Sequence, residues 1–236
     1  MQNSNLVLSP FSQFTVIYKM MKTGYKAYRL RITMIPRHWC NFLARKLTAA
    51  VCLCILAAVH SGDVVAATNR GVHFEDQMTV GGEQLTLHGI GLLKWKYLVN
   101  VYLVSLYKPA GVPVDQVLQD VPKRLEYYFF VDMKASDFQN TGFQLMAQNV
   151  GEEKAKSMTR ELAAFNSLYR DVKAGQRYTF TYLPGQGLEM ALDGRVLGNV
   201  TGDEFAAAYL SIWLGPKPVS RDLQEGLFDP ATKLKQ

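Results

Sequence analysis

The sequence predicts an α+β domain built on an antiparallel sheet. Across residues 71–228, strand-like segments come first, amphipathic helices follow, and further strands precede the last helices. Strand and helix do not alternate regularly, which argues against a parallel α/β sheet. Two tight-turn signals, Gly81-Gly82 and Asp193-Gly194, each join neighbouring strand-like segments, as in antiparallel hairpins.

The first half of this domain has the pattern of strands. The Gly81-Gly82 turn joins residues 72–80 to residues 83–88. Residues 97–107 are β-branched and aromatic on both faces, which indicates a central strand covered on both sides. A short helix is expected at 114–121, and residues 125–133 form another strand by their alternation.

The second half contains the helices and the closing hairpins. A capping box at Ser136–Gln139 predicts a helix start, and a second helix is expected over 152–169. Strands are expected at 176–183, 188–192 and 196–200. A second capping box, Thr201 to Glu204, predicts the next helix, and a last short helix is expected over 221–228. Residues 229–236 are expected to form a C-terminal tail outside the domain 71–228.

Charge and cysteine are concentrated in the N-terminal part of the chain. Residues 1–67 carry 8 Lys/Arg and 1 Asp/Glu, a net charge of +7. Residues 68–236 carry 18 Lys/Arg and 19 Asp/Glu, a net charge of −1. The remaining domain therefore lacks the basic surface that nucleic acid requires, and we expect no nucleic-acid partner. Cys40, Cys52 and Cys54 are the three cysteines, so the domain has no thiol nucleophile and no disulfide.

Residues 34–67 have the organisation of a secretory signal peptide. Basic residues precede 13 uncharged residues at 47–59, and small residues end at Ala67. We therefore expect cleavage near Ala67, a periplasmic or otherwise secreted protein, and no stable membrane span afterwards. An uncleaved membrane anchor is the alternative. Residues 1–33 are interpreted as a misannotated or disordered extension, with translation starting at Met34, Met20 or Met21.

Common catalytic and cofactor motifs are absent from residues 68–236. Gly89-Ile90-Gly91 lacks the third glycine and the following helix of a dinucleotide site. His73 and His88 are the only histidines there, and no third ligand has suitable spacing for a metal. We therefore expect neither a cofactor nor a metal ion.

Several short motifs resemble the chalcone isomerase fold in their order and spacing. These are Leu87–Leu92 followed by the strand at 97–107, and then the runs 164–166, 171–175, 182–185 and 212–215. The last four look like the bacterial chalcone isomerase-like branch, and the resemblance covers about residues 72–227. It implies a large antiparallel sheet with helices layered on one face, and a pocket between them. In that fold family the pocket holds a flavonoid or a fatty acid, without a cofactor.

The sequence departs from the enzymes of this family at the positions that the resemblance assigns to catalysis. The family arginine corresponds to Leu93, and the nearest cation is Lys94, which strand alternation places on the opposite face unless a local bulge restores it. The family threonine corresponds to Tyr102, which keeps a hydroxyl. The family tyrosine and asparagine correspond to Phe138 and Leu145, which have no polar group.

These substitutions predict a non-catalytic protein that binds a fatty-acid-like or other small apolar ligand. The candidate ligand-binding residues are Leu93, Tyr102, Phe138, Leu145 and Thr201, although Thr201 also fits a helix cap. A cofactor-free isomerase, or intramolecular lyase, using Tyr102 and Lys94 is the first alternative. A structural or interaction protein with a filled core is the second. The sequence gives no indication of oligomeric state.

Overall fold

The computed structural model of the protein describes residues 67–234. The predicted signal peptide and the segment 1–33 therefore lie outside the described residues, except for Ala67. Within 67–234, none of the helices is both long and apolar enough to cross a membrane.

The domain is built on one sheet of seven antiparallel strands in sequential order, beside a separate two-stranded hairpin. The hairpin consists of β1 (Ala67–Asn69) and β2 (Val72–Phe74). The sheet runs β3-β4-β5-β6-β7-β8-β9 without a crossover. Its strands are β3 (Gln77–Val80), β4 (Glu83–Trp95), β5 (Val99–Lys108), β6 (Lys123–Phe129), β7 (Arg177–Leu183), β8 (Gly187–Leu192) and β9 (Arg195–Val200).

The α-helices lie in the connection between β6 and β7 and after β9. They are α1 (Ala135–Val150), α2 (Glu152–Ser157), α3 (Thr159–Asn166), α4 (Asp203–Leu214) and α5 (Arg221–Phe228). Two short 3-10 helices occupy Val114–Gln116 and Pro230–Leu234. The fold is therefore α+β, with an antiparallel sheet and helices on one side, as the sequence predicts.

Each face of the sheet contributes to a separate apolar core because side chains alternate along the strands. The helix-side core includes Leu125, Tyr127 and Phe129 from β6 together with side chains of α1, α3 and α4. The hairpin-side core lies on the opposite face beneath β2. It consists of Val72, Phe74, Leu85, Leu87, Ile90, Leu103 and Tyr107.

Helix α5 lies directly on β4 because two glycines leave room for its backbone. A Cβ atom at Gly89 would lie 2.5 Å from the carbonyl oxygen of Leu227, and one at Gly91 would lie 2.1 Å from that of Leu223. The Gly89-Ile90-Gly91 segment is therefore part of the continuous strand β4. Its glycines serve close packing of helix on strand.

Several predictions of local structure are wrong. The helix expected at 114–121 is a short 3-10 helix, Val114–Gln116, and the strand expected over 125–133 ends at Phe129. The helix expected over 152–169 is interrupted at Met158, where φ is −106° and ψ is 17°. The helix α4 begins after Gly202 with no side-chain cap, so Thr201 does not cap it. Helix α1 begins one residue before Ser136, with Lys134 at the N-cap position. The Asp137 carboxylate accepts a hydrogen bond from the backbone N–H of Lys134 at 2.7 Å.

The ordered elements extend beyond both expected boundaries, 71 and 228. Asn69 donates a side-chain hydrogen bond to the carbonyl of Thr232 at 3.0 Å, which joins β1 to the last 3-10 helix. The Thr232 hydroxyl in turn accepts the N–H of Ile90 at 2.9 Å, within β4. These contacts join residues distant in the sequence, so local patterns do not predict them.

Candidate functional site: a tyrosine-lined cavity

A cavity of about 130 Å³ lies between the helix-side face of the sheet and helices α1 and α4. Strands β4 to β7 form its floor, and these helices form its roof. The partly exposed Leu93 and Trp95 on β4, and Phe138 and Thr141 on α1, lie on its outer side. The opening is therefore between the end of β4 and the start of α1.

The lining of the cavity is mainly aromatic. Such residues offer large apolar surfaces together with a few hydrogen-bonding groups, which suits a mostly apolar ligand. The aromatic side chains that line it are Trp95, Tyr102, Tyr127, Phe129, Phe138, Tyr169, Tyr178, Phe180, Tyr209 and Trp213.

Four of the five predicted ligand-binding residues lie together in this cavity. Leu93, Tyr102, Phe138 and Leu145 all line it, and Leu93 is the register partner of Tyr102 across β4 and β5. Phe138 stacks on Tyr169, with ring centroids 4.8 Å apart. Thr201, in contrast, is exposed and does not line the cavity.

A β-bulge lies beside Lys94, but its extra residue is on β5. Leu93 pairs with Tyr102 and Lys94 pairs with Asn100, so Val101 is the extra residue and lies with Tyr102 in the helix-side core. Lys94 lies at the edge of the cavity next to Leu93. Its side chain is exposed. It is a solvated cation at the opening, not a buried one.

Four tyrosine hydroxyls are buried at the inner end of the cavity. The indole N–H of Trp213 donates to the hydroxyl of Tyr102 at 3.1 Å, and the hydroxyls of Tyr169 and Tyr209 are 2.6 Å apart. The hydroxyl of Tyr127 is fully buried and has no hydrogen-bond partner in the described part of the chain. An unpaired buried hydroxyl is costly, so a ligand group that pairs with Tyr127 would gain a hydrogen bond there.

These tyrosines are neutral hydrogen-bond donors at physiological pH. Burial raises the pKa of Tyr102 to about 12, opposed by the hydrogen bond from Trp213. Burial also raises the pKa of Tyr127 and Tyr209 well above the ordinary value of 10.0. Deprotonation to a tyrosinate is therefore disfavoured, and the site is suited to donating protons in hydrogen bonds rather than to accepting them as a base.

Among the described residues, Asp137 is the only one with a carboxylate that lines the cavity. Its carboxylate is already engaged by the N–H of Lys134, and burial raises its pKa. The cavity thus contains neutral hydroxyl and indole groups at its inner end and one carboxylate and one ammonium near its opening. It has no buried cation to hold an anionic reactant.

Sequence reasoning did not identify Tyr127, Tyr209 and Trp213 as site residues. They belong to apolar stripes of β6 and α4, and the periodicity of a stripe does not distinguish a core side chain from a cavity wall. A usable signal exists in their chemistry. A buried tyrosine or tryptophan normally has a hydrogen-bond partner for its O–H or N–H. Tyrosine and tryptophan within an apolar stripe are therefore candidates for a polar site.

Comparisons with known proteins agree with the fold. Residues 66–229 match the chalcone isomerase-like family. A crystal structure of a fatty-acid binding protein from Arabidopsis thaliana superimposes with a TM-score of 0.55 at 17% identity, covering 71% of this chain and 97% of that one. A search of curated proteins finds no match. Since the family match covers well over half of its length, this chain belongs to the chalcone isomerase-like family.

Proposed function

We propose that this protein is a non-catalytic, secreted binding protein for a small apolar ligand, held between the sheet and helices α1 and α4. The aromatic cavity described above is the observation that carries the proposal. The similar fold of a protein named as a fatty-acid binding protein supports the ligand class. That similarity extends to the fold alone, so the ligand itself is inferred from the cavity.

The size of the cavity limits the ligand. Apolar cavities of about 150 Å³ in proteins bind benzene-sized guests, and the cavity here has about 130 Å³. A single ring or a short alkyl chain therefore fits without rearrangement. A longer chain would have to extend through the opening beside Lys94 and Phe138.

The absence of a buried cation supports a binding role rather than catalysis. Cyclisation of a chalcone proceeds through a phenolate, which must be held and kept ionised. Leu93 occupies the position of the family arginine, and Lys94 remains in solvent at the opening. Moving an anion into an apolar site without a paired cation costs several kcal/mol, so the reactive form is disfavoured.

Secretion to the periplasm is the second part of the proposal. It is supported by the basic, apolar and small-residue segments of 34–67 and by the lack of cysteine in residues 68–236. Cleavage that leaves an N-terminus between residues 62 and 70 is expected. Full-length protein retained in the membrane would contradict this part and leave the binding role unaffected.

The binding role predicts a bound molecule in protein isolated from its own cells. The mature protein is purified without detergent and extracted with organic solvent, and the extract is analysed by mass spectrometry. A single apolar compound near one equivalent per chain is the expected result. An empty protein that also binds no added apolar compound would support the alternative of a structural protein with a filled core.

We also expect the mature protein not to cyclise a chalcone measurably above the uncatalysed rate. Loss of one preorganised donor typically costs about 3–4 kcal/mol of transition-state stabilisation, and the family arginine and tyrosine are both replaced here. The measurement is the absorbance change of chalcone with and without protein. An enzyme-like rate that Tyr102→Phe abolishes would establish the isomerase alternative, which the position of Lys94 at the cavity favours.

A further inference from the structure

Two hydroxyl protons at the inner end of the cavity, those of Tyr102 and Tyr127, have no acceptor among the described residues. The oxygen of Tyr102 accepts the Trp213 N–H, so its own proton remains to be donated, and no acceptor for it is found among residues 67–234. The Tyr127 hydroxyl has neither donor nor acceptor there. Rings of these two tyrosines lie 5.5 Å apart, edge to face, on the adjacent strands β5 and β6.

Tyr127 is held rigidly in the centre of the sheet. Its neighbours across β5 and β7 are Val104 and Tyr178. Its ring also lies 5.4 Å from that of Trp213 on α4 and 4.9 Å from that of Phe180. The hydroxyl cannot turn to solvent without breaking this packing, so any hydrogen-bond partner has to reach it inside the cavity.

We infer that the hydroxyls of Tyr102 and Tyr127 bind an uncharged oxygen acceptor of the ligand, such as a ketone, ester or aldehyde carbonyl, and discriminate against a carboxylate. This inference rests on the proposed function, because it requires that a ligand enters the cavity. A neutral carbonyl oxygen accepts both protons and leaves no net charge in the apolar interior. A carboxylate in the same place has no buried cation to pair with and loses its hydration.

The charged groups of the cavity lining lie at the other end. Lys94 is exposed at the opening, and Asp137 is bound to the Lys134 backbone. An acid could place its carboxylate beside Lys94 only by leaving the inner hydroxyls unpaired. The two ends therefore select different parts of a ligand: an uncharged acceptor inside and polar or charged groups outside.

Three single-ring compounds of similar size test this inference by calorimetric titration of the mature protein. Acetophenone carries a neutral carbonyl, ethylbenzene has no acceptor, and benzoate is anionic at neutral pH. Tyr127→Phe is expected to weaken acetophenone binding about three- to tenfold, the effect of one neutral hydrogen bond. It should leave ethylbenzene binding unchanged or slightly tighter, since a buried hydroxyl without a partner is removed. Benzoate should bind the unaltered protein at least tenfold more weakly than acetophenone.

Tyr107→Phe is the matched control. Tyr107 is a buried tyrosine of the hairpin-side core, on the opposite face of the sheet. The substitution Tyr107→Phe should leave the affinity for all three compounds unchanged. Three results would overturn the inference while leaving the binding role intact. Tyr127→Phe could weaken the binding of acetophenone and of ethylbenzene equally, or it could affect the binding of neither. The third such result is that the unaltered protein binds benzoate more tightly than acetophenone. Failure of all three compounds to bind would overturn both.

Discussion

Replacing Gly91 with alanine is expected to destabilise the domain by about 3 kcal/mol, the upper end of typical overpacking costs. The new Cβ atom would lie 2.1 Å from the carbonyl oxygen of Leu223, which belongs to the backbone of α5 and cannot rotate away. Either α5 moves off β4 or the strand distorts. Both changes disturb Leu223 and Leu227, which are fully buried in the helix-side core.

Urea-induced unfolding followed by circular dichroism measures this effect. Gly111→Ala is the matched control, because nothing lies within 4 Å of the Cβ position at Gly111. It should change the free energy of unfolding by less than about 0.5 kcal/mol, as surface substitutions usually do. Equal effects of the two substitutions would show that α5 does not rest on β4 in the way described.

Replacing Leu93 with arginine is expected to create affinity for a carboxylate. Leu93 lines the cavity opposite Tyr102, so an arginine there would bring a guanidinium beside the tyrosine hydroxyls. A hydrogen bond to a charged group contributes about 1.5–3 kcal/mol, which corresponds to a gain of roughly 10- to 150-fold in benzoate affinity. Acetophenone should gain much less, because it carries no charge.

Leu92→Arg is the control for this substitution. Leu92 packs against the hairpin-side core on the other face, so the same charge is added where it cannot reach the cavity. Calorimetric titration with benzoate should show no gain for Leu92→Arg, and thermal unfolding confirms that both variants are folded. A gain common to both variants would indicate attraction by net charge alone, and no gain in either would show that Leu93 does not face the bound ligand.

Local sequence patterns predict most of the strands and turns because they depend on local chemistry. The Asp193-Gly194 turn joins β8 to β9 with φ values of 48° and 78°, the left-handed conformation that such two-residue turns require. Helix α5 begins after Ser220, whose hydroxyl accepts the N–H of Leu223, and its predicted bounds agree with the structure.

The parts that sequence reasoning missed depend on tertiary structure. The bulge at Val101 places the consecutive residues Val101 and Tyr102 in the same core, which strict alternation along β5 does not predict. The hydroxyl of Tyr127 has no partner within the described structure because Trp213 bonds to Tyr102 and Tyr209 bonds to Tyr169. The periodicity of the sequence does not predict these pairings. For the same reason, the four predicted residues that line the cavity could be grouped by the family resemblance but not by pattern alone.

A crystal structure of the mature protein soaked with acetophenone tests the central claim most directly. The account predicts one molecule between the sheet and helices α1 and α4, with its ring among the aromatic side chains and its oxygen within hydrogen-bonding distance of the Tyr127 hydroxyl. Well-ordered acetophenone found only on the outer surface, with the cavity closed by side chains of the protein itself, would contradict the account.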